Sequence, residues 1–166
     1  GFSMHLMNEY VDDGDILEQF KVKYENQTAQ EMLDLFNEYV ENNLGRVVLD
    51  YMSNKITPIK QNRDEATWVT KRNLTDCVID FDQSFKKIEA LFRVLAPPYP
   101  YPMLKIKDEL FEVLTHELIA RKYDMHNGRV VNIEDDNVYI KIRDGLLVTN
   151  KLRNYGTKEE YAANKY

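Results

Sequence analysis

Three aspartates gathered around one glycine, Asp12-Asp13-Gly14-Asp15, are the residues of this chain whose types and spacing could do chemistry. Carboxylates this close repel one another and raise each other's pKa. Such a group therefore marks either a solvated turn or a place where a carboxylate has a task. Two tasks suit it: holding or moving a proton beside a reacting group, or ligating Ca²⁺ or Mg²⁺ through hard oxygens. The stretch lacks the twelve-residue loop and distal glutamate of a calcium hand. The chain also has no phosphate-cradling glycine loop, no Ser-His-Asp set and no histidines at metal-ligand spacing. His116 and His126 stand alone in a region that reads as β, and such histidines are ordinarily packed or surface residues.

The elements on either side must position the acidic turn. Phe2, Met4 and Leu6 alternate as in a short strand. Gly14 supplies a turn that a Cβ would resist, and residues 16–24 resume as a second strand. Then Met32, Leu33, Leu35, Phe36, Tyr39, Val40 and Leu44 recur at helical spacing. Thr28 and Glu31 form a capping box ahead of them. Gly45 either ends this helix or is tolerated within it at about 1 kcal/mol, because the apolar pattern continues to Met52. Residues 58–72 are polar and extended. A second helix carries Phe85, Ile88, Leu91, Phe92 and Leu95 on one face, with Asp82 or Ser84 as its cap. Pro97, Pro98, Pro100 and Pro102 stop it. The remainder reads as strands at about ten-residue spacing, turned at Lys107-Asp108, Asn127-Gly128, Asp135-Asp136-Asn137 and Asp144-Gly145, as in a small barrel or open sheet. From Gly156 on the chain reads as a loose polar tail.

Of the 166 residues, 43% are hydrophobic and 30% charged, enough for one core or two small ones. A net charge of −6 argues against a general nucleic-acid binder, which needs a basic footprint. The single cysteine, Cys77, cannot form an internal disulfide and fits a reducing compartment. No apolar run approaches the roughly 20 residues that span a bilayer, so a cytoplasmic location and no membrane partner are expected. The chain starts at Gly1 and enters an apolar strand at once, which leads us to expect a piece of a longer protein. Phe2, Met4 and Leu6 would then lie on an open edge and favour a homodimer.

Five motifs occur in order. They are Gly1-x-Ser3-x-His5-x-Met7 followed after four residues by Asp12-x-Gly14-Asp15-Ile16; Pro58-x-x-Gln61 with Ala66-Thr67-Trp68-x-x-Lys71; Asp76-Cys77-x-Ile79-Asp80-Phe81; Arg93 leading into Pro98-Tyr99-Pro100; and the Gly128 and Asp144-Gly145 turns of the β region. Over residues 1–150 this series resembles the folate-dependent formyltransferases, a family that includes methionyl-tRNA formyltransferase, glycinamide ribonucleotide formyltransferase and the sugar-nucleotide N-formyltransferases. Cys77 stands where the family has glycine, and Tyr101-Pro102 where it has Gly-Ala.

The resemblance implies an α/β protein. Residues 1–60 would be the C-terminal segment of the Rossmann-like formyltransferase domain, 61–84 a linker, and 85–166 a helix, a β-rich lobe and a polar tail. It also implies formyl transfer from 10-formyltetrahydrofolate to an amine, with Asp12 as the catalytic aspartate by motif position. The family's Asn-x-His pair lies upstream, and this chain has no such pair, so the 166 residues alone would be inactive. His5 matches a histidine of the family that is not the catalytic one. Chain length and acidity favour the amine of an amino-sugar nucleotide over a nucleic acid. The alternatives are a non-catalytic dimerisation or interaction module, or the C-terminal part of a methionyl-tRNA formyltransferase-like enzyme.

Overall fold

A computed structural model describes residues 1–165. They divide into two compact units, Gly1–Lys71 and Arg72 onward. In the first, strands β1 (Phe2–His5) and β2 (Ile16–Phe20) pair antiparallel, with a register shift at Met4/His5. A 24-residue helix, α1 (Ala29–Met52), lies against them. The capping box forms as expected: Glu31 N–H donates to Thr28 Oγ1 (3.2 Å) and Thr28 N–H to Glu31 Oε2 (2.7 Å). Gly45 does not end α1, whose apolar pattern carries it on to Met52. The Phe2 ring sits 5.9 Å from Phe36, and Phe20 stacks on Tyr39 at 4.1 Å. Glu18, on β2, accepts hydrogen bonds from Arg46 and Tyr39 of α1, and the Arg46 contact holds its carboxyl below the usual range.

One expectation fails in this unit and another holds only in part. The second strand stops at Phe20 instead of running to Tyr24. Among the described residues β1 pairs with β2 alone, so its other edge is open as expected, but its apolar side chains are not bare: Met4 is buried and Phe2 and Leu6 are half-buried, with the Phe2 ring against α1. The most exposed apolar groups of the unit include Met7 and Val11 on the loop after β1, Leu49 and Met52 on α1, and Ile59, Trp68 and Val69 beyond it.

The second unit packs helix α2 (Phe85–Val94) on two four-stranded antiparallel sheets. One contains β3 (Met103–Ile106), β4 (Glu109–Val113), β9 (Lys151–Asn154) and β10 (Glu160–Ala162) in the order β10-β9-β4-β3. The other contains β5 (Glu117–Ile119), β6 (Val130–Glu134), β7 (Asn137–Ile142) and β8 (Gly145–Thr149) in the order β5-β8-β7-β6. Ile88 and Phe92 of α2 join Leu104, Phe111, Val113, Ile140, Ile142, Leu147 and Leu152 in one core. Every expected turn in this region is present. The stretch after Gly156 is not a loose tail. It returns as β10 on β9, with Ala163 buried and its N–H donating to Asn150 O (3.0 Å). The first amide of α2 is satisfied neither by Asp82 nor by Ser84. Phe85 N–H donates to Asp144 Oδ1 at 2.6 Å, across 59 residues, while Asp82 accepts from Asn127. A distant carboxylate thus meets one of the orphan amides of a helix start.

His116, after β4, stacks on Phe92 with ring centroids 3.8 Å apart, and burial holds its imidazole below the usual range. The folded state therefore disfavours the charged ring. The stability gained by keeping the ring neutral is complete above the unfolded-state value of about 6.5. It is lost as pH falls from there toward the folded-state value. The melting temperature of the chain should accordingly fall more between pH 7.5 and 5.5 than that of a His116→Leu variant. Parallel curves for the two would show that the ring titrates freely.

Candidate functional site

The acidic turn is a loop between β1 and β2 whose ends are tied where Leu6 N–H donates to Asp15 O (2.9 Å). Gly14 is there because nothing larger fits: a Cβ at this position would lie 1.6 Å from Leu6 O and 3.1 Å from His5 Nδ1. Asp12 has φ of 55°, the left-handed region that aspartate tolerates better than most residues. Its carboxylate is 88% exposed, with Oδ1 3.7 Å from His5 Nε2. The other ring nitrogen of His5 lies 2.8 Å from Leu6 O. A carbonyl oxygen only accepts, so Nδ1 carries a hydrogen and Nε2 is the nitrogen that faces Asp12.

The other two aspartates are placed differently. Asp13 accepts from Arg63 (2.7 Å) and, more weakly, from Asn8 (3.4 Å), and the Arg63 contact holds its carboxyl below the usual range. Asp15 lends its backbone carbonyl to the loop closure. Among the described residues no group of three or more His, Cys, Asp or Glu side chains converges as a metal site. Of the three carboxylates, Asp12 is the one both open to solvent and unengaged by a cation of the Arg or Lys type. That arrangement can hold or pass a proton.

The segment after α1 closes around this loop. Ile59 and Ile16 exchange backbone hydrogen bonds of 2.7 and 2.9 Å. Gln61 Nε2 then donates to the carbonyls of both Asp12 and Gly14, each at 2.8 Å. Sequence reasoning put Gln61 in a motif but gave it no contact, and it missed Arg63. The partners lie 47 to 50 residues away, and no local pattern connects them. Ala66, Thr67, Trp68 and Lys71, from the same motif, are exposed. In the second unit an apolar cavity of about 340 Å³ opens between the sheets, with Lys105 and Lys107 the charged residues of its lining. It gathers none of the residues marked out by chemistry.

Comparison with known proteins identifies the second unit. Residues 72–165, all the described residues of the second unit, match the family model described as formyl transferase, C-terminal domain. A methionyl-tRNA formyltransferase of Finegoldia magna is 27% identical over 154 residues, covering 92% of this chain and 49% of that protein. The chain thus spans about half the length of the curated relatives it matches. Among solved structures, a variant of HypX from Aquifex aeolicus matches with a TM-score of 0.69 at 15% identity, over 98% of this chain and 30% of that one. An N-formyltransferase from Helicobacter canadensis, bound to folinic acid and dTDP-3-aminofucose, matches with a TM-score of 0.55 at 16% identity, over 96% and 55%. The two structural likenesses are likenesses of fold.

Proposed function

Because the chain belongs to the formyl transferase C-terminal domain family, we propose that it supplies an aspartate-bearing loop and the C-terminal lobe to an enzyme that moves a formyl group from 10-formyltetrahydrofolate to a primary amine. The observation that carries the reading is Asp12: an exposed carboxylate, beside an imidazole, on a loop that only glycine at position 14 can close. In such a transfer the amine loses a proton as it attacks, the tetrahedral oxyanion is stabilised, and the folate nitrogen departs with a proton. Asp12 would take the proton-handling part, by holding a partner imidazole charged or by passing the proton through water. The remaining groups, including the Asn-x-His pair absent here, would come from the rest of the protein. The 166 residues alone should therefore transfer no formyl group.

For the acceptor we favour the amine of a nucleotide-linked amino sugar. Support comes from charge. Residues 1–71 hold seven Lys and Arg against thirteen Asp and Glu, and from residue 72 on there are fifteen of each. Neither unit therefore carries the basic surplus expected of an RNA-binding domain. The curated relatives named methionyl-tRNA formyltransferase favour a second acceptor, the amine of methionyl-tRNA, which a balanced second unit would not repel.

Assays of the intact protein with 10-formyltetrahydrofolate and each acceptor separate the two. We expect turnover with the sugar nucleotide that changes little with salt. Turnover confined to methionyl-tRNA, and falling steeply as salt rises, would establish the second reading. Failure with both would end the formyl-transfer proposal.

A further inference from the structure

An aspartate at positive φ with an exposed carboxylate has little of its own to hold it. The left-handed backbone is unfavourable for residues with a Cβ, and solvent-exposed loop tips open at low free-energy cost. Proton handling nevertheless demands a carboxylate placed to within hydrogen-bond reach, about 2.6–3.2 Å. Some group must fix the backbone from which Asp12 projects. Within the first unit one side chain does this directly. Gln61 reaches both carbonyls that bracket Asp13, those of Asp12 and Gly14, at 2.8 Å each. Only the amide NH₂ can face two carbonyl oxygens, since the Gln61 oxygen would be repelled by both. The orientation of the side chain is therefore set by the contacts themselves.

Gln61 is in turn held from both sides. Two residues before it, Ile59 is locked to Ile16 by the paired backbone bonds. Two residues after it, Arg63 grips the Asp13 carboxylate at 2.7 Å. Among the described residues no other side chain bonds to the Asp12 or Gly14 carbonyl.

From this geometry we infer that Gln61 is a positioning residue for Asp12. It acts as a clasp that fixes the direction in which the carboxylate leaves the loop. The inference rests on the reading of Asp12 given above. It makes the stretch that leads toward the second unit a working part of the site and not only a tether.

The test compares four variants of the intact protein: Asp12→Asn, Gln61→Leu, Gln61→Glu and the double variant Asp12→Asn with Gln61→Leu. Gln61→Leu should lower kcat by about tenfold, with KM for both substrates unchanged, because the loop is displaced while the substrate contacts remain. It should also speed hydrogen exchange at the Asp12–Asp15 amides, with the melting temperature preserved. In the double variant the Gln61 change should cost nothing further, since it acts through a carboxylate already removed. Gln61→Glu sets a carboxylate against two carbonyls. Its activity relative to the parent should recover as pH falls and the new acid gains a hydrogen to donate.

A damaging Asp12→Asn beside a harmless Gln61→Leu would overturn the clasp while leaving the reading of Asp12 standing. So would an equal further loss from Gln61→Leu in the double variant, which would place its effect elsewhere. A harmless Asp12→Asn would remove the reading itself. If Gln61→Leu does not fold, the pH recovery of Gln61→Glu decides alone, and a flat ratio to the parent overturns the clasp.

Discussion

On the reading of Asp12 proposed above, Asp12→Asn should cost the intact protein about 10²-fold or more in kcat, the scale of general acid–base contributions, with KM for formyl donor and amine little changed. The substitution keeps size and hydrogen-bonding capacity and removes only the charge. It therefore isolates what the charge does for the imidazole or water chain opposite. Asp13→Asn and Asp15→Asn serve as internal controls. Asp13 spends its carboxylate on Arg63 and Asn8, and Asp15 contributes a backbone carbonyl to the loop closure. Each should cost far less than Asp12, and steady-state kinetics of the three side by side decide the matter. Small equal losses would reduce the loop to a solvated turn. A loss confined to KM would mean substrate binding in place of proton transfer, and a loss reversed by added Ca²⁺ or Mg²⁺ would indicate a metal.

Gly14→Ala should abolish activity at least as completely, and for a steric reason. Its Cβ would fall 1.6 Å from Leu6 O, a backbone atom that cannot rotate away. To admit the methyl group, the Leu6–Asp15 hydrogen bond must open, and the Gln61 clasp on Gly14 O must move with it. Overpacking of this kind costs about 1–3 kcal/mol or more, before the hydrogen bonds are counted. Residues from 72 on belong to a separate compact unit, and their amide spectrum should stay native, which separates local damage from general unfolding. A Gly14→Ala enzyme that kept a substantial share of the parental rate would mean that the loop closes by a different geometry.

What could be read from the chain, and what could not, divides by range. The capping box joins Thr28 to Glu31, close neighbours in the chain, and it placed the start of α1 correctly. The asparagine, aspartate and glycine turns between the strands of the β region are equally local, and each is present. The resemblance carried the family, which the match over residues 72–165 shows. The last two strands escaped notice because their pattern is not simply apolar in and polar out. In β9 the inward positions are Leu152 and Asn154, and Arg153 reaches Glu112, a carboxylate buried in β4. Tyr161, Ala162 and Ala163 are too short a run to declare a strand. The closing of the site was also hidden. Gln61 and Arg63 sit in a polar segment that reads as a connector, and only the fold brings them to the loop. The burial of Met4 and half-burial of Phe2 and Leu6 were hidden for the same reason, since nothing local announces that α1 turns back to cover β1.

The reach of Gln61 across 49 residues to the Asp12 carbonyl also sets an order of events at birth. A chain emerging at about 5–20 residues per second makes the loop several seconds before the residue that secures it. During that interval Asp12 is tethered but undirected. If Gln61 is the clasp inferred above, the final alignment of Asp12 should come only after synthesis has moved past α1.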